Sequence, residues 1–178
     1  MPSAFGHAPP ALTLVPLFRT QATPRRLWAL GVACAVAPDL DVVWLGLAPH
    51  GTMLGHRGLT HSLAFAAALA ALVAVAALPR ASRGTSHARA WLYLFLATAS
   101  HGLLDACTNG GAGVALFAPF SSERFFFPFR PIEVSPLSVA RFLSQRGVQV
   151  LWSELVWVWL PCAVLALLFV LALAPRRQ

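Results

Sequence analysis

Long apolar stretches alternate with short polar segments along the chain. Three stretches, residues 27–47, 61–78 and 155–174, carry few or no charged side chains and have the length of about 17–25 residues that a membrane-spanning helix needs. A fourth, residues 88–107, is apolar from residue 90 onward except for His101 and Asp105 near its end. We therefore predict an all-α integral membrane protein, a helical bundle of about four transmembrane helices in a single domain, residues 1–178.

Two further segments interrupt this pattern. Residues 11–18 are apolar but cover only about 12 Å as a helix, so they predict a short N-terminal partial helix. Residues 118–136, "APFSSERFFFPFRPIEVSP", contain four prolines and five phenylalanines. Because proline interrupts helices, we predict an ordered aromatic loop packed over the opening of the bundle. A membrane anchor formed with Trp44 and Trp152 is an equally good interpretation of these rings.

Composition supports the membrane class. The chain is 58% hydrophobic and only 11% charged, whereas an ordinary soluble domain has about 25% charged residues. Its net charge is +7, and all 13 basic residues are arginines that separate apolar runs, which indicates membrane topology and argues against a nucleic-acid partner. The three cysteines form no CxxC motif and are interpreted as small buried hydrophobes. The first ten residues lack the pattern of a cleaved signal peptide, so we expect the internal segments to direct insertion.

The arginines also predict an orientation. Three clusters lie on one side if the four stretches are taken in order, and this side is predicted to be cytoplasmic: Arg19, Arg25 and Arg26; Arg80, Arg83 and Arg89; Arg176 and Arg177. The opposite side receives residues 48–60 and 108–150. The second of these connections also contains arginines, at positions 124, 130, 141 and 146, so the charge rule is not unanimous.

Every aspartate of the chain lies in or beside an apolar stretch. Asp39 and Asp41 belong to "PDLD", and Asp105 ends "HGLLD". A carboxylate inside a spanning helix costs about 3 kcal/mol, so these residues need partners. In the predicted topology they approach the same non-cytoplasmic side as three histidines, at positions 56, 61 and 101. Mixed imidazole and carboxylate ligands suit zinc, with iron or manganese as alternatives, better than calcium or magnesium.

Spacing assigns different places to these residues. His101 and Asp105 are four apart, so on a helix they share one face and can hold one ion. In "HRGLTHS" the histidines are five apart, so we place His56 in a loop and His61 in the first turn of the next helix. Gly58 permits the bend between them, and Thr60 or Ser62 can cap the helix. The two aspartates of "PDLD" require a break, for which Pro38 is the physical cause.

Other interpretations of these polar residues stay open. His50 and His87, which lie in polar segments without a nearby acid, are interpreted as ordinary solvated histidines. The remaining cluster fits a metal site, but also a purely structural network of histidine, aspartate and Arg57 between helices. Intramembrane acids and histidines also line ion paths, so a metal transporter or carrier is a third interpretation.

The motifs "GH", "APDLD", "HRGLTHS", "HGLLDACT" and "FAPFSSERFFFPFRPI" occur here in an order that resembles the YdjM family. Its members are bacterial inner-membrane proteins described as metal-dependent hydrolases, distantly similar to zinc-dependent phospholipase C. The resemblance covers residues 7–136. It implies a multi-pass protein of the bacterial inner membrane and a set of metal ligands: His7, Asp39, Asp41, His56, His61, His101 and Asp105.

These inferences combine into one functional hypothesis. A divalent metal, with zinc favoured, activates a water that attacks a phosphoester or ester. Asp41 is a ligand, an orienting residue or a general base, and Arg57 clamps the anionic substrate; Arg124 and Arg130 are weaker candidates for that clamp. A site at the membrane boundary favours an amphiphilic substrate such as a lipid phosphoester. The sequence indicates no oligomeric state.

Overall fold

Helices make up the regular secondary structure of the described chain. A computed structural model describes residues 1–20, 23–44, 48–49, 51–77 and 86–174. Within these ranges the α-helices are α1 Ala4–Thr13, α2 Val15–Phe18, α3 Arg26–Val36, α4 Leu63–Ala77, α5 His87–Ala106, α6 Val139–Phe142, α7 Gln145–Glu154 and α8 Leu160–Leu173. Short 3₁₀ segments span Ala37–Trp44 and Leu59–His61, and a π-helical turn, Leu155–Trp159, joins α7 to α8. The predicted all-α class is confirmed for these residues.

One described helix has the length and composition of a membrane span. Gln145–Leu173 runs for 29 residues through α7, the π turn and α8, and only 6% of its most apolar window is buried within the protein. At 1.5 Å per residue it is about 43 Å long, enough to cross a bilayer. The predicted bundle of four transmembrane helices is not confirmed by this structure. In the described ranges, the other three apolar stretches form shorter or more polar helices.

Each of these three stretches differs from a single long membrane-spanning helix for its own physical reason. Residues 27–47 do not form one helix, because α3 ends at Val36 and the chain tightens into a 3₁₀ segment at Pro38, as the proline predicts. Helix α4 has 15 residues and therefore covers about 22 Å, less than the hydrocarbon core of a bilayer. Helix α5 has 20 residues but packs much of its surface inside the protein and begins with a polar turn.

Small side chains let these helices pack closely. Ala66, Ala70 and Ala74 recur every four residues along α4 and are fully or almost fully buried, as is common where apolar helices approach one another. Helix α3 approaches α5 through Gly31, where an added Cβ would lie 2.2 Å from the Tyr93 hydroxyl oxygen. This hydroxyl donates a hydrogen bond to the Ala11 carbonyl of α1. Helix α5 is therefore the centre against which α1, α3 and α4 pack.

The N-terminal helix differs from its prediction. Residues 11–18 were expected to form a short partial helix, but α1 begins at Ala4 and includes Pro9 and Pro10, and α2 follows separately. Proline removes a backbone donor, but its φ angle is compatible with a helix. The earlier start carries His7 into the helix and, as described below, into the site.

The aromatic loop is ordered, as predicted. The Phe127 N–H donates a backbone hydrogen bond to the Ala106 carbonyl at the end of α5, and within residues 107–138 the Asn109 N–H donates to the Ile132 carbonyl. Isolated bridges pair Thr108 with Ile132 and Val114 with Phe125. The loop thereby covers the end of α5 that carries Asp105.

Part of the predicted topology falls outside the described residues. This holds for Arg80, Arg83, Arg176, Arg177 and His50. The cytoplasmic orientation of the arginine clusters and the number of membrane crossings stay predictions.

Candidate metal centre

Four separate elements bring imidazole and carboxylate groups to one point inside the protein. The group, called here the buried cluster, consists of His7 from α1, Asp39 from the first 3₁₀ segment, His61 from the second, and His101 with Asp105 from α5. Asp39 is the most exposed of the five, at 8%. The structure therefore brings Asp39, His61, His101 and Asp105 together, and His7, which only the family resemblance implied, joins them.

Four of these residues surround a point at bonding distance for a metal. The Nε2 atom of His61 lies 3.5 Å from Oδ1 of Asp39 and 3.3 Å from Oδ2 of Asp105. The Nε2 atom of His101 lies 3.3 Å and 3.9 Å from the same two oxygens. A tetrahedral zinc site with bonds of about 2.0–2.1 Å has ligand atoms about 3.3–3.4 Å apart. The spacing fits one ion between the four side chains, called here the first ion position.

The hydrogen bonds of the two histidines aim their Nε2 atoms at this position. Nδ1 of His101 lies 2.7 Å from the Ala35 carbonyl oxygen. Since that oxygen only accepts, Nδ1 carries the proton, and in a neutral ring Nε2 presents a lone pair. Nδ1 of His61 lies 3.0 Å from the Thr60 hydroxyl oxygen and 3.4 Å from Oδ2 of Asp41. This arrangement of an outer partner behind each imidazole is typical of metal ligands.

The unsatisfied polar atoms coincide with the cluster. In the part of the chain that the structure describes, the buried side-chain atoms without a hydrogen-bond partner are both nitrogens of His7, both oxygens of Asp39, Nε2 of His61, Nε2 of His101 and both oxygens of Asp105. Buried polar groups are ordinarily satisfied, and an unpaired carboxylate is especially costly. A cation bound between acceptor atoms that face one another across a buried space would satisfy them. The donor set therefore fits a divalent metal.

His7 lies on the opposite side of the two carboxylates. Its Nε2 atom is 3.7 Å from Oδ2 of Asp39 and 3.8 Å from Oδ1 of Asp105, the oxygens that do not face His61 and His101. Its ring stacks on that of His101 with centroids 3.6 Å apart. Complete burial lowers the pKa of the His7 imidazole well below its ordinary value, so the ring is neutral and can act as a ligand. We call the point between His7 and the two carboxylates the second ion position.

The turn at residues 56–61 has the backbone geometry that its glycine predicts. Gly58 has φ −87° and ψ −129°, and an added Cβ would lie 2.1 Å from the Met53 carbonyl oxygen. Arg57 has a positive φ of 62°, a strained value for a residue with a side chain. His56 lies in the turn, as the five-residue spacing predicts, but His61 lies in the separate 3₁₀ segment Leu59–His61 and not in the first turn of α4, which begins at Leu63.

Asp41 and His56 form a pair beside the cluster. Nδ1 of His56 lies 2.7 Å from Oδ1 of Asp41, and Oδ2 of Asp41 accepts a hydrogen bond from the Thr60 hydroxyl. The pair and His61 lie close enough to be a second potential metal-binding group. We favour an orienting role for Asp41, because both of its oxygens already contact Thr60 or a histidine.

Comparison with known proteins identifies the family to which the chain is related. The model of the YdjM inner membrane protein family matches residues 1–178. The chain belongs to this family. It is also 40% identical over 163 residues to "Inner membrane protein YbcI" of Escherichia coli (strain K12), a match that covers 90% of this chain and 92% of the relative. No solved structure matches. The resemblance drawn from the motifs is confirmed, and the location is the inner membrane.

Arg57 of this YdjM-family protein is a buried residue. Its side chain is 2% exposed, and Nε lies 3.2 Å from Oδ2 of Asp105. The other guanidinium nitrogens donate hydrogen bonds to the Gly110 carbonyl and the Thr108 hydroxyl. These contacts hold Asp105 and the loop that follows α5. The role of Arg57 as a substrate clamp stays a prediction, and its geometry favours positioning of Asp105.

A cavity lies next to two residues, His56 and Arg57, that contact the aspartates of the site. It has a volume of about 240 Å³ and is lined by Met1, Gly51, His56, Arg57, Gly111, Ala112, Val134, Ser135 and Leu137. Its polar wall, His56 and Arg57, contacts Asp41 and Asp105. Its apolar wall, Val134 and Leu137, belongs to the segment that leads to the candidate span. The cavity is thus lined by both polar and apolar side chains.

Arg124, Arg130 and His87 of the YdjM-family chain make contacts or take positions outside the buried cluster. Arg124 donates hydrogen bonds to the carbonyls of Gly51, Thr52, His56 and Gly113 and so connects two loops. The Arg130 guanidinium lies over the Phe126 ring, 4.8 Å from its centroid. His87 is the first residue of α5, and His101 lies 14 residues further along this helix, about 21 Å away.

Proposed function

We propose that this YdjM-family protein is a membrane-bound, metal-dependent hydrolase that acts on a phosphoester or ester. The observation that supports this most directly is the position of every unsatisfied buried side-chain polar atom of the described residues around one space. A purely structural polar network is expected to satisfy its own hydrogen bonds. Apart from the contact of Arg57 with Asp105, these groups lack such hydrogen bonds, which favours an arrangement for a ligand.

The two carboxylates suggest a pair of ions. Asp39 and Asp105 each direct one oxygen to the first ion position, with His61 and His101, and the other oxygen to the second, with His7. Two divalent metals bound there would be held by Asp39 and Asp105 together with the three histidines, and they would supply the Lewis acidity of two-metal hydrolytic sites. We propose zinc as the metal, with manganese or iron as alternatives.

The chain's own residues then perform distinct tasks. When bound, a divalent metal supplies Lewis acidity and lowers the pKa of water toward neutrality. Asp41 and Thr60 hold the His61 ring in place, and Arg57 holds Asp105. His56 faces the cavity where the reacting group would lie. Helices α1, α4 and α5 exclude bulk water from the other sides, which strengthens the electrostatic interactions within the site.

We propose an amphiphilic phosphoester, such as a membrane lipid, as the substrate. His56 in the polar wall of the cavity matches a phosphate, and the apolar wall of Val134 and Leu137 matches an apolar chain. This apolar wall belongs to the segment just before Gln145, where the candidate span begins, so we propose that the cavity is near the membrane boundary. We place the site on the non-cytoplasmic side of a multi-pass protein.

Hydrolysis by purified protein tests the proposal. The full chain in detergent, supplied with zinc or manganese, is assayed against phospholipids, lipid phosphates and a chromogenic phosphodiester. We expect turnover that His61→Ala reduces at least about 100-fold, because loss of a ligand exceeds the usual effect of an outer partner. His87→Ala, a histidine change at the other end of α5, is the control and retains activity. Ion flux into reconstituted vesicles without ester turnover would instead identify a carrier and overturn the proposal.

A further inference from the structure

Glu154 is a buried carboxylate outside the site described above. It lies within the candidate membrane span Gln145–Leu173, at the point where α7 gives way to the π-helical turn Leu155–Trp159. Its side chain is 0% exposed, although the helix around it is largely exposed. A carboxylate in such a helix is costly unless it has a specific partner. π-Helical turns also occur frequently at functional sites.

The partner of Glu154 is the beginning of α1. Both the backbone N–H and the hydroxyl of Ser3 donate hydrogen bonds to its carboxylate; the hydroxyl bond is 2.7 Å long. Ser3 is the N-cap of α1, but its hydroxyl makes no capping bond within that helix. The carboxylate thus takes the place of a local cap, at the helix end where a negative charge is favourable.

Glycine allows this close approach. An added Cβ at Gly6 would lie 3.0 Å from the carboxyl carbon of Glu154 and 3.1 Å from one of its oxygens. The next residue is His7, the ligand at the second ion position. A second hydrogen bond, from the Thr13 hydroxyl to the Cys162 carbonyl, attaches the other end of α1 to the same long helix.

Helix α1 depends on such attachments because its own hydrogen bonding is incomplete. Pro9 and Pro10 cannot donate to the first turn, where His7 lies. The described contacts of His7 within the site are its stacking on His101 and its approach to the two carboxylates. Its position therefore relies on how the first turn of α1 is held.

We infer that Glu154 is a positioning residue: through Ser3 it holds the first turn of α1 so that His7 completes the second ion position. This rests on the proposed function, because it assumes the bridged pair of ions. The positioning role of Glu154 gives the spanning helix a task beyond anchoring, because that helix then determines whether the second ion is retained. The first ion position has no ligand on α1 and should not depend on it.

Metal content measured during a chelator titration tests this inference. We expect wild-type protein, as the full chain in detergent, to hold about two ions per chain. Glu154→Leu, which removes the carboxylate but suits an apolar helix, should release one ion at a chelator concentration about 10–100-fold lower and retain the other. Glu154→Gln, which can still accept from the Ser3 N–H, should restore much of the retention. His7→Ala should lose the same ion, and adding Glu154→Leu to it should change nothing more.

The control is Glu133→Gln, which removes a carboxylate that pairs with Arg146 at 2.7 Å and touches neither α1 nor the cluster. It should retain both ions. Wild-type retention of both ions by Glu154→Leu would overturn the positioning role and leave the proposed function intact. Loss of both ions together would overturn it as well, because the dependence would not be confined to the second position. A wild-type protein with fewer than two ions would overturn the bridged pair and this inference with it.

Discussion

Asp105→Asn should remove both ions and abolish hydrolysis. The two carboxylate oxygens of Asp105 face the two ion positions, 3.3 Å from Nε2 of His61 and 3.8 Å from Nε2 of His7. An amide has one oxygen acceptor and no charge, so it cannot bridge two cations. The variant keeps the size of the side chain and a possible contact with Arg57, which limits its effect on folding. We expect metal content and turnover to fall at least about 100-fold.

Asp41→Asn is the matched control for this change. It alters the same chemical group in the same region, but Asp41 contacts Thr60 and His56 and lies behind His61. Loss of an outer partner typically costs about 10–100-fold in metal affinity, so this variant should still bind metal when it is supplied in excess. Equal metal retention by Asp105→Asn and wild-type protein would contradict the proposed ligand set.

Gly102→Ala should have the second-largest effect. Gly102 is the point where α5 touches the 3₁₀ segment of His61, and an added Cβ would lie 2.5 Å from the His61 carbonyl oxygen. Because the added Cβ would meet a backbone atom, the steric overlap can be removed only if α5 and the segment of His61 move apart. Overpacking of this kind costs about 1–3 kcal/mol. His101 precedes Gly102, so the two Nε2 atoms of the first ion position should also move apart.

Thermal unfolding and metal affinity measure this effect together. We expect a lower midpoint of unfolding and a metal affinity reduced about 10–100-fold. Leu103→Ala changes the next residue of the helix, whose side chain is exposed, and should leave metal affinity unchanged. An unaltered affinity in Gly102→Ala would show that the packing of α5 on the His61 segment does not set the geometry of the site.

Much of the site was predictable because its motifs obey local geometry. The four-residue spacing of His101 and Asp105 places both on one face of α5, and Pro38 ends a helix before Asp39. The five-residue spacing of "HRGLTHS" separates His56 from His61. His7 followed only from the family resemblance, because Pro9 and Pro10 obscured the helix that carries it.

The transmembrane prediction was less successful for a physical reason. Apolar composition does not distinguish a helix that faces lipid from one that is buried by neighbouring helices. Helix α5 satisfies the composition almost throughout, but Tyr93, Leu94 and Ala97 are buried inside the protein. Among the described helices, the span Gln145–Leu173 exposes apolar side chains along most of its length.

Arg57 and Glu154 show what spacing cannot reveal. The buried ion pair of Arg57 depends on a turn with positive φ that brings it to Asp105, a residue 48 positions later in the sequence. Glu154 precedes the apolar stretch 155–174 and was therefore left outside the predicted span. The sequence feature that could have indicated Glu154 is that it is the one acidic residue within Gln145–Leu173.

The metal content of the wild-type protein tests the central claim most directly. The full chain is purified in detergent without chelators, and bound metals are quantified by elemental mass spectrometry. We predict about two equivalents of a divalent transition metal per chain, with zinc predominating. Less than about 0.2 equivalents, also after incubation with zinc, would contradict a metal centre formed by His7, Asp39, His61, His101 and Asp105.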